Sequence, residues 1–271
     1  MLKVPEPMLA QTDSQTLLRL AAGLAERAAR AILAAKAEGF QINRKDDASL
    51  VTCADHAAEK IILAGLREAA PGIKVVAEEE CAAGADPAAA SLFWLVDPLD
   101  GTREFTQGSP DYTVNIGLIA DGRPLLGVIV APETGEMFTG IAGSGAWKRQ
   151  NGRGQPIAAR EAPPQGLTVL SSQHSANQAR MQTLLAGRAI AAIHYTGSSL
   201  KICRIAEGAA DIYPRFGRTM EWDTAAGHAI LEAAGGSLVR EDGAPLRYGK
   251  PGWDNPNFIC QGRGLPIFSP A

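Results

Sequence analysis

The sequence predicts an α+β protein, and three observations carry that prediction. The chain opens on a helical repeat, with Leu17, Leu20, Ala21, Leu24, Ala28, Ala31, Ile32 and Ala35 at three- and four-residue spacing. A set of β-rich segments follows, led by the continuous apolar run Leu92-Phe93-Trp94-Leu95-Val96. Beyond residue 166, strand-like and helix-like segments alternate.

Taken in order, Asp13 or Ser14 is placed to cap the first helix and Gly39 to end it. Residues 44–50 read as a polar loop. A second helix starts near Thr52, runs past Ile61, Ile62 and Leu66, and stops at Pro71-Gly72. Residues 74–77 read as a short strand ending in Glu78-Glu79-Glu80. Alanine fills six of the nine positions 82–90, which reads as a surface loop. Residues 112–120 and 125–131 are strands joined by Asp121-Gly122, a strong hairpin signal. Residues 137–141 add another. The Gly- and Pro-rich segment 151–166 reads as the boundary between two halves, 1–155 and 156–271, of one compact unit. After it come strand 167–171, helix 176–185, strand 189–195, helix 199–207, strand 210–213 and helix 222–234. Short strands near Ser237 and Phe258 complete the chain.

Composition excludes several functions. The 271 residues carry 26 Lys+Arg against 29 Asp+Glu, a net charge of −3, which argues against a nucleic-acid polymer as partner. No apolar run approaches the ~18 residues of a membrane span. Residues 1–13 lack the apolar core of a secretory signal. Cys53, Cys81, Cys203 and Cys260 form no C-x-x-C pair, so reduced thiols in a cytoplasmic protein are the expectation. The sequence sets no oligomeric state and leaves peripheral association with the inner face of the plasma membrane open.

Four acidic segments fall at element ends. Glu78 follows a strand, where a solvated charge run is the simpler explanation. Asp97 and Asp100 follow the buried strand in Asp97-Pro98-Leu99-Asp100-Gly101-Thr102, and one tight turn is expected to hold both. Asp223 and Asp55 sit at helix starts, where plain N-capping explains them equally well. If these acids converge, repulsion demands protons or cations. Oxygen ligands without His or Cys favour Mg²⁺. The Leu99 carbonyl adds a neutral donor, and Gly101 permits close backbone approach. Metal-assisted phosphate-ester hydrolysis follows as the expected chemistry.

Trp94-Leu95-Val96-Asp97-Pro98-Leu99-Asp100-Gly101-Thr102, Trp222-Asp223-Thr224-Ala225-Ala226-Gly227-His228-Ala229 and Glu232-Ala233-Ala234-Gly235-Gly236 resemble the inositol monophosphatase superfamily of Mg²⁺-dependent, lithium-sensitive phosphomonoesterases. The resemblance extends over nearly the whole chain. It implies a layered αβαβα sandwich, an antiparallel sheet mostly from the first half and a more mixed one from the second. It implies two or three Mg²⁺ ions: Glu78, Asp97 and the Leu99 carbonyl on one, Asp97, Asp100 and Asp223 on a second. Thr102, helped by Asp55, would orient the attacking water; with Glu78 these count as catalytic. The Gly101 and Thr102 N–H groups would grip the phosphate. Glu79 would be structural and Glu80 solvated. Ser49-Leu50-Val51-Thr52 departs from the family's Ser-Pro-Val-Thr, which puts the loop's rigidity and any third metal in doubt. Lys45 on that loop is expected to face the phosphate.

Gly197-Ser198-Ser199-Leu200-Lys201 and Tyr213-Pro214-Arg215-Phe216-Gly217 resemble the bacterial 3'(2'),5'-bisphosphate nucleotidase branch. That implies removal of the 3'-phosphate of 3'-phosphoadenosine 5'-phosphate, and of its sulfated analogue, in support of sulfate assimilation. Arg215 offers a planar donor fork to a second phosphate where a carboxylate would repel it. Ser198, Ser199, Lys201 and Asp223 are the further substrate contacts, although Lys201 reads equally well as a solvated helix residue. His228 is expected to be packed or adjacent to adenine. An inositol or sugar monophosphatase is the nearest alternative, and a non-catalytic nucleotide-binding regulator a more distant one.

Overall fold

A computed structural model of the chain describes residues 11–45, 50–85, 87–88, 90–172 and 178–265. Most of the N-terminal segment read for a signal, the middle of the 44–50 loop and the start of the 176–185 helix lie outside them.

Helix α1 spans Gln11–Glu38, and Gly39 leaves it at φ +87°, as a helix-ending glycine should. Its start precedes Asp13 and Ser14, which are helical rather than capping residues. Strands β1 (Ile42–Arg44) and β2 (Leu50–Thr52) pair antiparallel, so both ends of the expected loop are strand. Leu50, at the position of the family proline, pairs with Arg44 there. Thr52 caps α2 (Cys53–Ala69). Strand β3 (Lys74–Ala77) leads into the short helix α3 (Glu78–Ala82), which contains the three glutamates. Then come β4 (Leu92–Asp100), α4 (Thr102–Thr106), β5 (Thr113–Ala120), β6 (Arg123–Ala131), β7 (Glu136–Ile141), β8 (Gly145–Gln150) and β9 (Arg153–Ile157).

The β5–β6 turn has Asp121 at φ 48° and Gly122 at φ 71°, both left-handed as a two-residue hairpin requires. Asn151 and Gly152 repeat that geometry at φ 51° and 74°. The segment read as a boundary therefore begins inside the first sheet, because Asn-Gly is itself a hairpin signal.

The second half contains β10 (Leu167–Ser171), α5 (Gln178–Leu184), β11 (Ile190–Tyr195), α6 (Leu200–Ala206), β12 (Ile212–Arg215), α7 (Glu221–Ala233), β13 (Ser237–Arg240) and β14 (Phe258–Gln261). The first sheet runs in order β3-β4-β5-β6-β7-β8-β9 and is antiparallel apart from β3 beside β4. The second runs β11-β10-β12-β14-β13 and is mixed.

Side-chain alternation sorts the layers. Trp94, Val96, Val114, Ile116 and Val128 face α1 and α2. Phe93, Leu95, Ile119, Ile129 and Phe138 face the other way, onto α6 and α7. Tyr213, Leu238, Phe258 and Cys260 close that layer from the second sheet, whose far side packs Val169, Ile212 and Ile259 on Met181 of α5. The result is the αβαβα sandwich. Among the described residues no helix is long and apolar enough to cross a membrane.

Candidate active site

Strand β4 delivers the first acids. Its ladder with β5 pairs Asp97 with Asn115 and next Asp100 with Thr113, so three steps on β4 meet two on β5. This is a β-bulge, which re-aims side chains at the end of a strand. Pro98, which has no N–H to give, sits inside it. The expected tight turn is thus a bulged strand end. Asp97 accepts the Leu99 N–H at 3.0 Å. Asp100 accepts the Ser199 N–H at 2.5 Å and the Asn115 amide at 3.4 Å. Gly101 then turns the chain at φ +93°, where a Cβ would stand 3.0 Å from the Asp111 carbonyl oxygen.

Helix α2 supplies Asp55, which has both roles considered for it. One carboxylate oxygen accepts the Thr52 N–H at 2.8 Å and its hydroxyl at 2.7 Å, a capping bond pair. The other lies 3.1 Å from the Thr102 hydroxyl, which is also 3.1 Å from the Leu99 carbonyl. With one proton, that hydroxyl donates to one acceptor at a time. Glu78 opens α3, and Glu59 of α2 accepts the Glu79 N–H at 2.9 Å, tying the first turn of α3 to α2. Asp223 sits in the first turn of α7 and accepts the Met220 N–H at 2.9 Å.

Lys45 departs from its expected role. Its ammonium lies 2.7 Å from both Glu78 and Glu79 and is held by the acids rather than free to meet a phosphate. Burial pulls its pKa down, but the two glutamates outweigh this and hold it above the ordinary lysine value. Glu80 pairs with Arg67 at 2.6 Å on the surface, so it is not merely solvated.

Glu78, Asp97, Asp100 and Asp223 line one cleft of about 700 Å³ with Thr102, Lys201 and Arg215. Burial is the first cause that raises the carboxyl pKa of Asp97 well above the usual range, followed by repulsion from Glu78, Asp100 and Asp223. Asp223 rises for the same reasons, burial first and then Asp100 and Glu78. Asp100 is pushed up to about 6 by burial, against the pull of Lys201 and the Ser199 N–H. Among the described residues no three acidic, His or Cys side chains gather tightly enough to enclose an ion unaided. The donor set nevertheless fits hard cations: it is crowded and oxygen-only, and in Asp97 and Asp223 burial is joined by carboxylate repulsion that a divalent ion relieves.

The same cleft also holds cations. Lys201 is buried, not solvated; its ammonium donates to the Thr196 carbonyl at 3.1 Å and lies 5.2 Å from the Tyr213 ring centre. Burial lowers it to about 8. Arg215 donates to the Ser172 hydroxyl and the Arg218 carbonyl, both at 3.1 Å, with no carboxylate partner among the described residues. Ser198, at φ 48°, lines the cleft. Ser199 is different: its hydroxyl is bonded to Asn115 and Thr113, both at 2.8 Å. It fixes Asp100 and is not a free donor to substrate. His228 is packed between Tyr248 at 2.9 Å and Glu232 at 3.1 Å, and does not line the cleft.

Sequence reasoning missed Glu59 and Asn115. The signals were there: an acid one turn after Asp55 on a helix face that is otherwise apolar, and an amide inside the buried run Val114-Asn115-Ile116.

Buried carboxylates at the ends of β4, α3 and α7, within five alternating layers, define the metal-dependent phosphatase class. Residues 13–263 match the model of the inositol monophosphatase family, and the chain belongs to that family. It is an enzyme, a phosphatase. The 3'(2'),5'-bisphosphate nucleotidase CysQ of Salmonella typhimurium (strain LT2) is 43% identical over 226 residues, 82% of this chain and 89% of that protein. The protein of the same name from Escherichia coli K12 is 42% identical over 218 residues, 79% and 86% of the two. The crystal structure of CysQ from Bacteroides thetaiotaomicron, a bacterial member of the inositol monophosphatase family, superposes with a TM-score of 0.79. It is 32% identical, and the match covers 93% of this chain and 98% of that one.

Proposed function

We propose that this chain is a 3'(2'),5'-bisphosphate nucleotidase that hydrolyses the 3'-phosphate of 3'-phosphoadenosine 5'-phosphate to give AMP and phosphate, and accepts the sulfated analogue. The observation that carries this reading is one cleft lined both by acids, Glu78, Asp97, Asp100 and Asp223, and by two cations, Lys201 and Arg215. A monoester needs only the first. The second fits another phosphate. The identity to the nucleotidases named above supports the same substrate class.

Glu78, Asp97 and the Leu99 carbonyl would hold one Mg²⁺, and Asp97, Asp100 and Asp223 a second, with a third left to measurement. When bound, such ions neutralise charge on the phosphate and the leaving oxygen and sharpen a water nucleophile. The protein's own groups orient the rest. Asp55 fixes the Thr102 hydroxyl so that its lone pairs are directed at the attacking water. The Gly101 and Thr102 N–H groups, at the start of α4, would face phosphate oxygens. Lys201 and Arg215 would hold the 5'-phosphate. The same reading places the enzyme with its small nucleotide substrate in the cytoplasm.

The test is phosphate release from 3'-phosphoadenosine 5'-phosphate, inositol 1-phosphate and fructose 1,6-bisphosphate at matched Mg²⁺. The nucleotide is expected to give the highest kcat/KM. Faster turnover of inositol phosphate would overturn the assignment, and nucleotide binding without any hydrolysis would point to a regulator.

A further inference from the structure

Two polar atoms of residues around the cleft have no hydrogen-bond partner among the described residues, although both are buried: the Arg215 Nε and the Thr219 hydroxyl. Both residues line the cleft. A buried donor left unpaired is costly, so its persistence points to a partner that arrives from outside. The two residues are tied together. Arg215 Nη2 donates to the carbonyl of Arg218, the residue next to Thr219, and Nη1 donates to Ser172 at 3.1 Å. The guanidinium is thereby fixed, and Nε is the donor it keeps in hand. Thr219 is fixed as well, since its carbonyl accepts the Asn255 N–H at 2.8 Å while its hydroxyl stays unengaged.

We propose that Thr219 is a specificity-determining residue whose hydroxyl, beside Arg215 Nε, donates to the second, non-reacting phosphate of the substrate. The inference rests on the bisphosphate reading above. An anion is favoured over a neutral group because Arg215 is a cation whose hydrogen bonds go to neutral oxygens alone, the Ser172 hydroxyl and the Arg218 carbonyl, among the described residues. Thr219 then does what Arg215 alone does not: it adds a second donor from a different point and fixes the orientation of the phosphate. The hydroxyl is assigned no part in the chemical step, for which Asp55 and Thr102 are the orienting groups.

The test compares the wild type with Thr219→Val, which keeps the shape and removes the hydroxyl, and with Thr219→Ser, which keeps the hydroxyl. KM and kcat are measured for 3'-phosphoadenosine 5'-phosphate and for 3'-AMP, which has the scissile ester but no second phosphate. A hydrogen bond to a charged group predicts a rise in KM about ten-fold larger for the bisphosphate than for 3'-AMP in Thr219→Val, with recovery in Thr219→Ser. Equal effects on both substrates, or none, would overturn the inference. Thermal unfolding of the variants identifies a folding loss, which would depress both substrates alike. If the wild type itself does not prefer the bisphosphate to 3'-AMP, the underlying reading fails first and the role of Thr219 falls with it.

Discussion

At the scale of single residues, the site is defined by groups held in unfavourable protonation environments. Asp97 is buried, and burial together with Glu78, Asp100 and Asp223 raises its pKa. On the metal reading it is shared by two ions. Replacing Asp97 by Asn is then expected to lower kcat by ~10³-fold or more, the rate equivalent of several kcal/mol. Steady-state assays over a wide Mg²⁺ range check this, and near-normal turnover would remove Asp97 from the metal set. Lys201 gives the pH prediction. Its pKa falls from 10.5 to about 8, chiefly because it is buried. Between those values the unfolded chain keeps a proton that the folded chain has released, so this group's contribution to stability grows as pH rises through the window. Anion affinity runs the other way. KM for the bisphosphate should climb above pH about 8 in the wild type and stay flatter in Lys201→Arg, whose charge does not titrate there. Superimposable profiles would show that Lys201 does not meet the anion.

At the scale of elements, short pieces of structure aim the site. Helix α3 has five residues and no side-chain cap of its own at its first position. Its order comes from α2 through the Glu59 contact to the Glu79 N–H. Glu59→Ala should weaken this anchorage by ~1 kcal/mol, the usual scale of a lost cap, and raise the Mg²⁺ concentration for half-maximal activity about five-fold. Glu59→Gln keeps an acceptor and should recover most of it. A metal titration of both variants decides, and equal behaviour would mean that Glu59 does not position Glu78. The bulge in β4 was not legible in the sequence. Asp-Pro and Asp-Gly are turn pairs, and local propensity favours a turn. Pairing with β5 carried the strand through to Asp100 instead, whereas pairing with β3 ends at Val96. Asn151-Gly152 is a hairpin signal inside the segment 151–166, so the first sheet runs on to Ile157 before the chain passes to the second at Leu167.

At the scale of the whole molecule, α7 joins the two halves. Gly117, Gly127 and Gly140 are paired in register across β5, β6 and β7, forming a row without side chains. Helix α7 lies in it: a Cβ on Gly127 would fall 2.1 Å from the Ala226 carbonyl oxygen, and one on Gly140 2.7 Å from the Ile230 Cα. A buried ion cluster adds a second tie, with Arg204 of α6 on Glu136 of β7 at 2.6 Å and Lys148 of β8 beside Glu207 at 2.7 Å. Gly127→Ala should therefore destabilise the protein by about 2 kcal/mol or more and reduce activity with it, because α7 also delivers Asp223. Gly154→Ala on β9, where nothing lies within 4 Å, is the control. Thermal unfolding and kcat measured on both check this. An unchanged melting temperature in Gly127→Ala would mean that α7 does not need the glycine row.

The sequence by itself determined the two long helices of the first half, the buried strand, the Asp121-Gly122 hairpin and the positions of the acids, because periodicity and turn chemistry act over a few residues. Motif resemblance also singled out Arg215, while leaving Lys201 open between a substrate contact and a solvated helix residue. Only the tertiary structure decided which polar groups are already bonded within the protein. Ser199 is engaged with Asn115 and Thr113, Lys45 is held by Glu78 and Glu79, and His228 is packed against Tyr248. The hydroxyl of Thr219, which no motif marks, is left without a partner among the described residues. The physical reason is that a hydrogen-bond partner dozens of residues away is set by sheet register and layer packing, which no local pattern encodes.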